Sequence, residues 1–269
     1  MAGRIGRAFE AARREQRGAF LPFLTSGFPD PVESDRLASA LCEEGADVLE
    51  LGIPFSDPVA DGPVIQRTSQ LALAAGTIPA HALGQALRLR ARYETPIVLM
   101  TYMNPILRYG VSAFAEDAAA SGVDGVILVD LPPEEDPDTW EALREAGLDT
   151  VTLIAPTTRV ERFPTITSRA SGFLYVVARL GVTGGGANDP GLADTLRRCR
   201  EHSPLPRCVG FGLGASSDFA PYRGLAEGVI VGSALLAGIL EGADPSAREA
   251  SARSNARAVR EGLRGLLGP

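Results

Sequence analysis

Eight short apolar runs, separated by segments with helical spacing, constrain this 269-residue chain more than any other feature. The runs are AFLPFLT near 19, DVLEL near 47, PIVLMTY near 96, GVILVD near 125, TVTLIA near 150, FLYVVA near 173, RCVGFG near 207 and GVIVGSA near 228. Most are near-continuous in Val, Ile, Leu and Phe rather than alternating, the pattern of parallel strands buried on both faces. Between them VESDRLASALCEEGA, HALGQALRLRARY, VSAFAEDAAASG and EEDPDTWEALREAG place apolar residues at helical intervals. Parallel strands need crossover connections, and helices supply them. Eight such units are expected to close into a (β/α)8 TIM barrel in one domain, 1–269, with an extra N-terminal helix and a long C-terminal helix in DPSAREASARSNARAVREGLRGLL. An open doubly wound sheet is the alternative. No Pro/Ser-rich linker, low-complexity tract or charge block divides the chain.

Composition narrows the chemistry. A hydrophobic content of 45% suffices for a full core, and a formal net charge of −7 provides no basic field for nucleic acid or an anionic membrane. The start, MAGRIGRAFEAARREQRGAF, is charged and helical in pattern, without a signal-peptide apolar core. The longest apolar stretches fall short of the roughly 20 residues that span a bilayer, so a soluble, cytoplasmic protein is expected. Cys42, Cys199 and Cys208 are too scattered for a disulfide framework, and two histidines, His81 and His202, cannot assemble a histidine-rich metal centre. All 26 basic residues are arginine. Without lysine the chain can form no lysine Schiff base, either with a carbonyl substrate or with pyridoxal phosphate.

Barrel enzymes carry their functional groups at the carboxyl ends of the strands. Glu50 ends DVLEL among Val48, Leu49, Leu51 and Ile53. A carboxylate in that setting is costly to ionise, so it is either a satisfied core glutamate or a proton-exchanging group with a raised pKa. The loop after it, GIPFSDPVADGP, holds Asp57 and Asp61 on a proline-stiffened backbone. Either aspartate alone reads as a turn former; beside Glu50, Asp61 becomes a partner carboxylate. Glycine-rich turns follow the last three strands: GVTGGGAND, GFGLG and GSALL, the last with Ser233 opening a helix. Such turns offer backbone N–H groups and a helix dipole to a phosphate, though simple tight turns share the pattern. Tyr102 and Tyr175 read as packing residues, and Tyr175 is also placed to hydrogen-bond an inward carboxylate.

The run LELGIPFSDPVADGPVIQ, followed in order by MTYMNPI, VDLPPEE, RLGVTGGG, VGFGLG and VGSALL, closely resembles the tryptophan synthase α-subunit family from about Phe20 to Leu236. The resemblance implies cleavage of indole-3-glycerol phosphate to indole and D-glyceraldehyde 3-phosphate, a retro-aldol reaction in tryptophan biosynthesis. That chemistry agrees with the residues: with no amine or metal centre, carboxylates must move the protons while the indole ring accepts electrons. By the family's pattern, Glu50 would protonate the ring carbon and take the side-chain hydroxyl proton, and Asp61 would hold the indole N–H. Tyr175 would stand beside Glu50. Phe23, Ile65, Met100, Tyr102, Ile127 and Phe211 would form the indole slot, and Thr183 would close over it. Gly184, Gly212, Gly232 and Ser233 would hold the phosphate. Pro54, Asp57, Asn104 and Pro132 match positions at the contact with a β subunit, to which any pyridoxal phosphate would belong; this chain would carry no cofactor.

Three departures stand out. Ala178 precedes Arg179 where the family commonly has Ser, Gly185 and Gly186 follow Gly184 where Ala is usual, and Phe28 replaces a frequent aspartate before Pro29, read here as a loop change. Extra glycines raise the entropy lost on loop closure. Three functions therefore stay open: an α subunit coupled to its partner, a freestanding lyase releasing indole, and a catalytically weak allosteric binding subunit.

Overall fold

A computed structural model describes residues 3–178, 190–210 and 219–268. Its strands are β1 (Ala19–Thr25), β2 (Leu49–Gly52), β3 (Ile97–Thr101), β4 (Gly125–Leu128), β5 (Asp149–Ile154), β6 (Leu174–Val177), β7 (Arg207–Gly210) and β8 (Gly228–Val231). Each pairs in parallel with its neighbours in chain order, and β8 returns to β1, closing the barrel. Each of the eight expected runs matches one strand to within a few residues at its ends. The helices are α1 (Arg4–Arg14), α2 (Pro31–Glu43), α3 (Pro63–Ala74), α4 (Pro79–Arg90), α5 (Met103–Tyr109), α6 (Val111–Ala120), α7 (Pro137–Glu145), α8 (Phe163–Ser168), α9 (Pro190–His202), α10 (Ser233–Leu240) and α11 (Pro245–Gly262).

Local chemistry explains where several helices begin. An Asp-Pro pair opens α2, α7 and α11: the Asp30, Asp136 and Asp244 carboxylates accept from first-turn N–H groups, while the proline at the next position needs no such bond. α11 lies on α2 and α10, tied by Arg253 to Glu43 and Glu44 and by Arg248 to Glu33 at 3.1 Å. α1 lies at the amino ends of the strands, where Phe9 packs on Phe173 with ring centroids 5.9 Å apart.

Register decides which side chains enter the barrel. Neighbouring partners project to the same side of a parallel sheet, so Phe23, Glu50 and Val98 share one face, as do Gly52, Met100 and Ile127. Continuing the alternation brings Val151, Leu153, Tyr175, Cys208, Gly210 and Ile230 to the interior. Thr152, Val126 and Leu174 face the helices instead. Phe28, read from sequence as a loop change, is fully buried and belongs to the core: the backbone of a loop turns outward while a large apolar side chain turns in.

Candidate active site

Glu50 enters the barrel near the carboxyl end of β2 and is 1% exposed. Both of its carboxylate oxygens are buried with no hydrogen-bond partner among the described residues. Burial, and then the charge of Asp61, push its pKa up to about 8, so at neutral pH the proton stays on. Neither Glu50 oxygen takes a hydrogen bond from Tyr175. The Tyr175 hydroxyl lies against Gly210, where an added Cβ would stand 2.4 Å from it. Tyr175 remains an electrostatic neighbour of Glu50 and Asp61, whose charges help raise its own pKa.

Asp61 comes from the loop between β2 and α3, half-buried. Burial raises its pKa to about 6, held down by a hydrogen bond with Tyr102. Tyr102 caps the end of β3, stacks on Phe55 with centroids 5.2 Å apart, and accepts from the Ala60 N–H at 3.1 Å. The two carboxylates thus differ in kind. One is dry and protonated, the other partly solvated, hydrogen-bonded and largely ionised at neutral pH, which is the pairing that general acid–base chemistry requires.

Around this pair the barrel supplies an apolar wall. Phe23, Met100 and Ile127 all point inward, each under 10% exposed. Phe23 lies across Gly52 so closely that a Cβ there would stand 2.4 Å from its ring. Its other side meets Gly232, where a Cβ would stand 3.3 Å away. Ile65 sits half-buried on the first turn of α3, against the core. Gly232 caps α10 and Ser233 begins it, so the first N–H groups of that helix open at the carboxyl end of β8. Thr183, Gly184, Phe211 and Gly212, with the glycines of the departing loop, lie outside the described residues.

The expected partner-contact residues line two different cavities. Pro54, Asp57 and Asn104 line one groove of about 470 Å³ with Phe55, Ile78 and Tyr109. Exposed apolar side chains stand nearby in sequence, with Val59 at 87%, Leu107 at 61% and Ile78 at 54%. Pro132 lines a different, smaller cavity of about 120 Å³ with Trp140 and Thr152. Among the described residues no three His, Cys, Asp or Glu side chains are grouped to hold a metal ion.

Sequence reasoning missed two supports of Asp61. Gln66 donates from Nε2 to the Asp61 carbonyl oxygen at 2.8 Å, and Thr25 and Thr68 join β1 to α3 at 2.7 Å. The amide five residues after the aspartate, on the first turn of a helix opened by Gly62-Pro63, was the available signal.

The family profile described as tryptophan synthase alpha chain matches residues 9–263. The chain is 42% identical to the tryptophan synthase alpha chain of Solibacter usitatus over 261 residues, covering 97% of this chain and 98% of that one. It is likewise 42% identical to the alpha chain of Burkholderia multivorans over 264 residues, covering 97% of each. Among solved structures, a chain of Mycobacterium tuberculosis tryptophan synthase superposes with a TM-score of 0.90 at 36% identity, covering 98% of this chain and 99% of its own. The alpha chain from Legionella pneumophila superposes with a TM-score of 0.87 at 36% identity, covering 98% of each.

Proposed function

The chain belongs to the tryptophan synthase alpha chain family, and from that premise we propose that it cleaves indole-3-glycerol phosphate to indole and D-glyceraldehyde 3-phosphate with Glu50 and Asp61 as the reacting pair. It is a lyase and an alpha subunit in tryptophan biosynthesis. In this reading residues 1–269 form one barrel domain working in the cytoplasm; among the described residues no helix is long and apolar enough to cross a membrane.

The observation that carries the assignment is Glu50 itself, a fully buried carboxyl without a hydrogen-bond partner among the described residues, electrostatically coupled to a second carboxyl at a barrel mouth. A carboxylic acid kept neutral near pH 7 can protonate the ring carbon that bears the glycerol chain. Protonation turns the indole into an electron sink. The same residue, now a carboxylate, takes the proton of the adjacent side-chain hydroxyl as the carbon–carbon bond breaks, leaving an aldehyde. The bonding electrons return to the ring, so no external oxidant or reductant enters. Asp61, ionised, accepts from the indole N–H and stabilises the charge the protonated ring acquires. Phe23, Ile65, Met100, Tyr102, Ile127 and Phe211 hold the indole, with Tyr175 packed beside the pair. Gly184, Gly212, Gly232 and Ser233 receive the phosphate, and Thr183 closes over the site.

The family implies a β-subunit partner, and the exposed apolar rim around Pro54, Asp57 and Asn104 supports docking there, with Pro132 at a second point. Pyridoxal phosphate would belong to that partner. Turnover of indole-3-glycerol phosphate is measured with the wild type and with Glu50→Gln, each with and without a β subunit. Glu50→Gln is expected to lose at least about 10²-fold in kcat, and a loss below about tenfold would overturn the acid–base role. Stimulation by the β subunit is expected; high turnover alone, unchanged on adding it, would point to a freestanding lyase instead.

A further inference from the structure

Two residues hold the backbone at Asp61. Tyr102 is buried and accepts from the Ala60 N–H at 3.1 Å, which leaves its own hydroxyl proton free for the Asp61 carboxylate. Gln66 holds the Asp61 main chain from α3 at 2.8 Å. α3 is in turn pinned to the barrel. Thr68 Oγ1 bonds to the Ile65 carbonyl oxygen at 2.9 Å, so the Thr25 hydroxyl must be the donor across the 2.7 Å contact with Thr68. The chain β1–Thr25–Thr68–α3–Gln66–Asp61 is therefore continuous, and Tyr102 closes it from β3.

If Glu50 and Asp61 are the acid–base pair proposed above, a physical question follows: two neighbouring buried carboxyls resist holding two charges, and something must decide which one ionises. Among the described residues the titratable groups facing Asp61 are Glu50 from β2, Tyr102 from the end of β3 and Tyr175 from β6; Asp130, after β4, faces Tyr102. None of these is a cation. The asymmetry lies in hydrogen-bond donors, since the described residues offer Glu50 none and offer Asp61 the Tyr102 hydroxyl.

We infer that Tyr102 and Gln66 are positioning residues that assign the negative charge of the pair to Asp61 and aim it at the ring nitrogen, Tyr102 by donating to the carboxylate and Gln66 by fixing its main chain. Tyr102 thereby does more than wall the slot. Its hydroxyl takes the backbone N–H before Asp61 and keeps its own proton for the carboxylate.

The test reads charge directly. Protein carrying ¹³C-labelled aspartate carboxyls is titrated by NMR in the wild type, Tyr102→Phe and Gln66→Leu, with Asp61→Asn identifying the signal. Tyr102→Phe is expected to raise the Asp61 midpoint by at least about half a unit, because the donor that favours the ionised form is gone. A midpoint equal to the wild type's overturns the role of Tyr102. Gln66→Leu is read by affinity for indole against benzofuran, which has the same shape without the N–H. The preference for indole is expected to fall at least about threefold; an unchanged preference overturns the role of Gln66. The lyase reading fails on a different result, full cleavage activity in Asp61→Asn, which the NMR titration does not touch.

Discussion

Glu50 and Asp61 show how burial turns two ordinary carboxyls into an acid and an anion. The first is pushed to about 8 and the second to about 6, so the productive form, Glu50 protonated with Asp61 ionised, is most populated between those values. A bell-shaped dependence of kcat/KM on pH is expected, with limbs near about 6 and about 8, and a profile flat from pH 5 to 9 would contradict it. The same burial has a consequence for stability. Because the folded pKa of Glu50 lies above its ordinary value of 4.5, the folded state binds the proton more tightly than the unfolded state. Stability is therefore unpenalised below about 4.5 and is lost as pH rises towards about 8, at about 1.4 kcal/mol per unit. Glu50→Gln removes that penalty. Denaturant titration should find it more stable than the wild type at pH 8.5, on the order of a few kcal/mol, with the difference vanishing near pH 4. Equal stability at both pH values would mean that Glu50 is not a dry carboxyl.

Strands and helices meet at the site through close approaches that single glycines permit. β2 ends in Gly52, and the ring of Phe23 from β1 rests where a side chain would otherwise stand. Gly52→Ala places a methyl group 2.4 Å from that ring, so Phe23 must swing away from β2. The expected cost is about 1–3 kcal/mol from overpacking, with a raised KM because the displaced ring enters the indole slot. A variant with unchanged KM would show that Phe23 does not wall the slot. Phe23 also lies close to Gly232, the cap of α10, so one aromatic ring spans the distance from the Glu50 strand to the start of α10. These contacts were not legible in the sequence. Gly52 reads there as a residue between a strand and a loop, and only the register of β1 against β2 puts Phe23 opposite Glu50 and its ring over Gly52.

Across the whole molecule, the proposed acid–base pair and the proposed partner contact occupy different places. The carboxylate pair lies inside the mouth, whereas Pro54, Asp57 and Asn104 line a groove outside it, joined to the pair by the same β2–α3 loop that carries Asp61. A partner seated on that groove would press on the loop holding the anion, which gives stimulation by a β subunit a physical route. Asn104→Asp, with Asp57 left intact, places a second negative charge at the groove. It is expected to weaken stimulation by the β subunit several-fold while leaving the turnover of the isolated chain within about twofold. Loss of both together would place Asn104 in the catalytic site rather than at the contact.

The alternation of strands and helices, the closed barrel and a carboxyl placed inside it were already contained in the sequence, because they rest on short-range regularities: eight apolar runs, helical spacing between them, and a glutamate at the end of an apolar strand. The Asp-Pro pairs likewise announce α2, α7 and α11 locally. What tertiary structure decided were relations between residues far apart in the chain. It laid the Tyr175 hydroxyl against Gly210, put Pro132 in a different cavity from the other contact residues, drew Phe28 into the core, and set Tyr102 and Gln66 around Asp61. The reason is that apolar burial is indifferent to direction and can be read from pattern alone, whereas a hydrogen bond or a close contact depends on where closure of the barrel brings each atom.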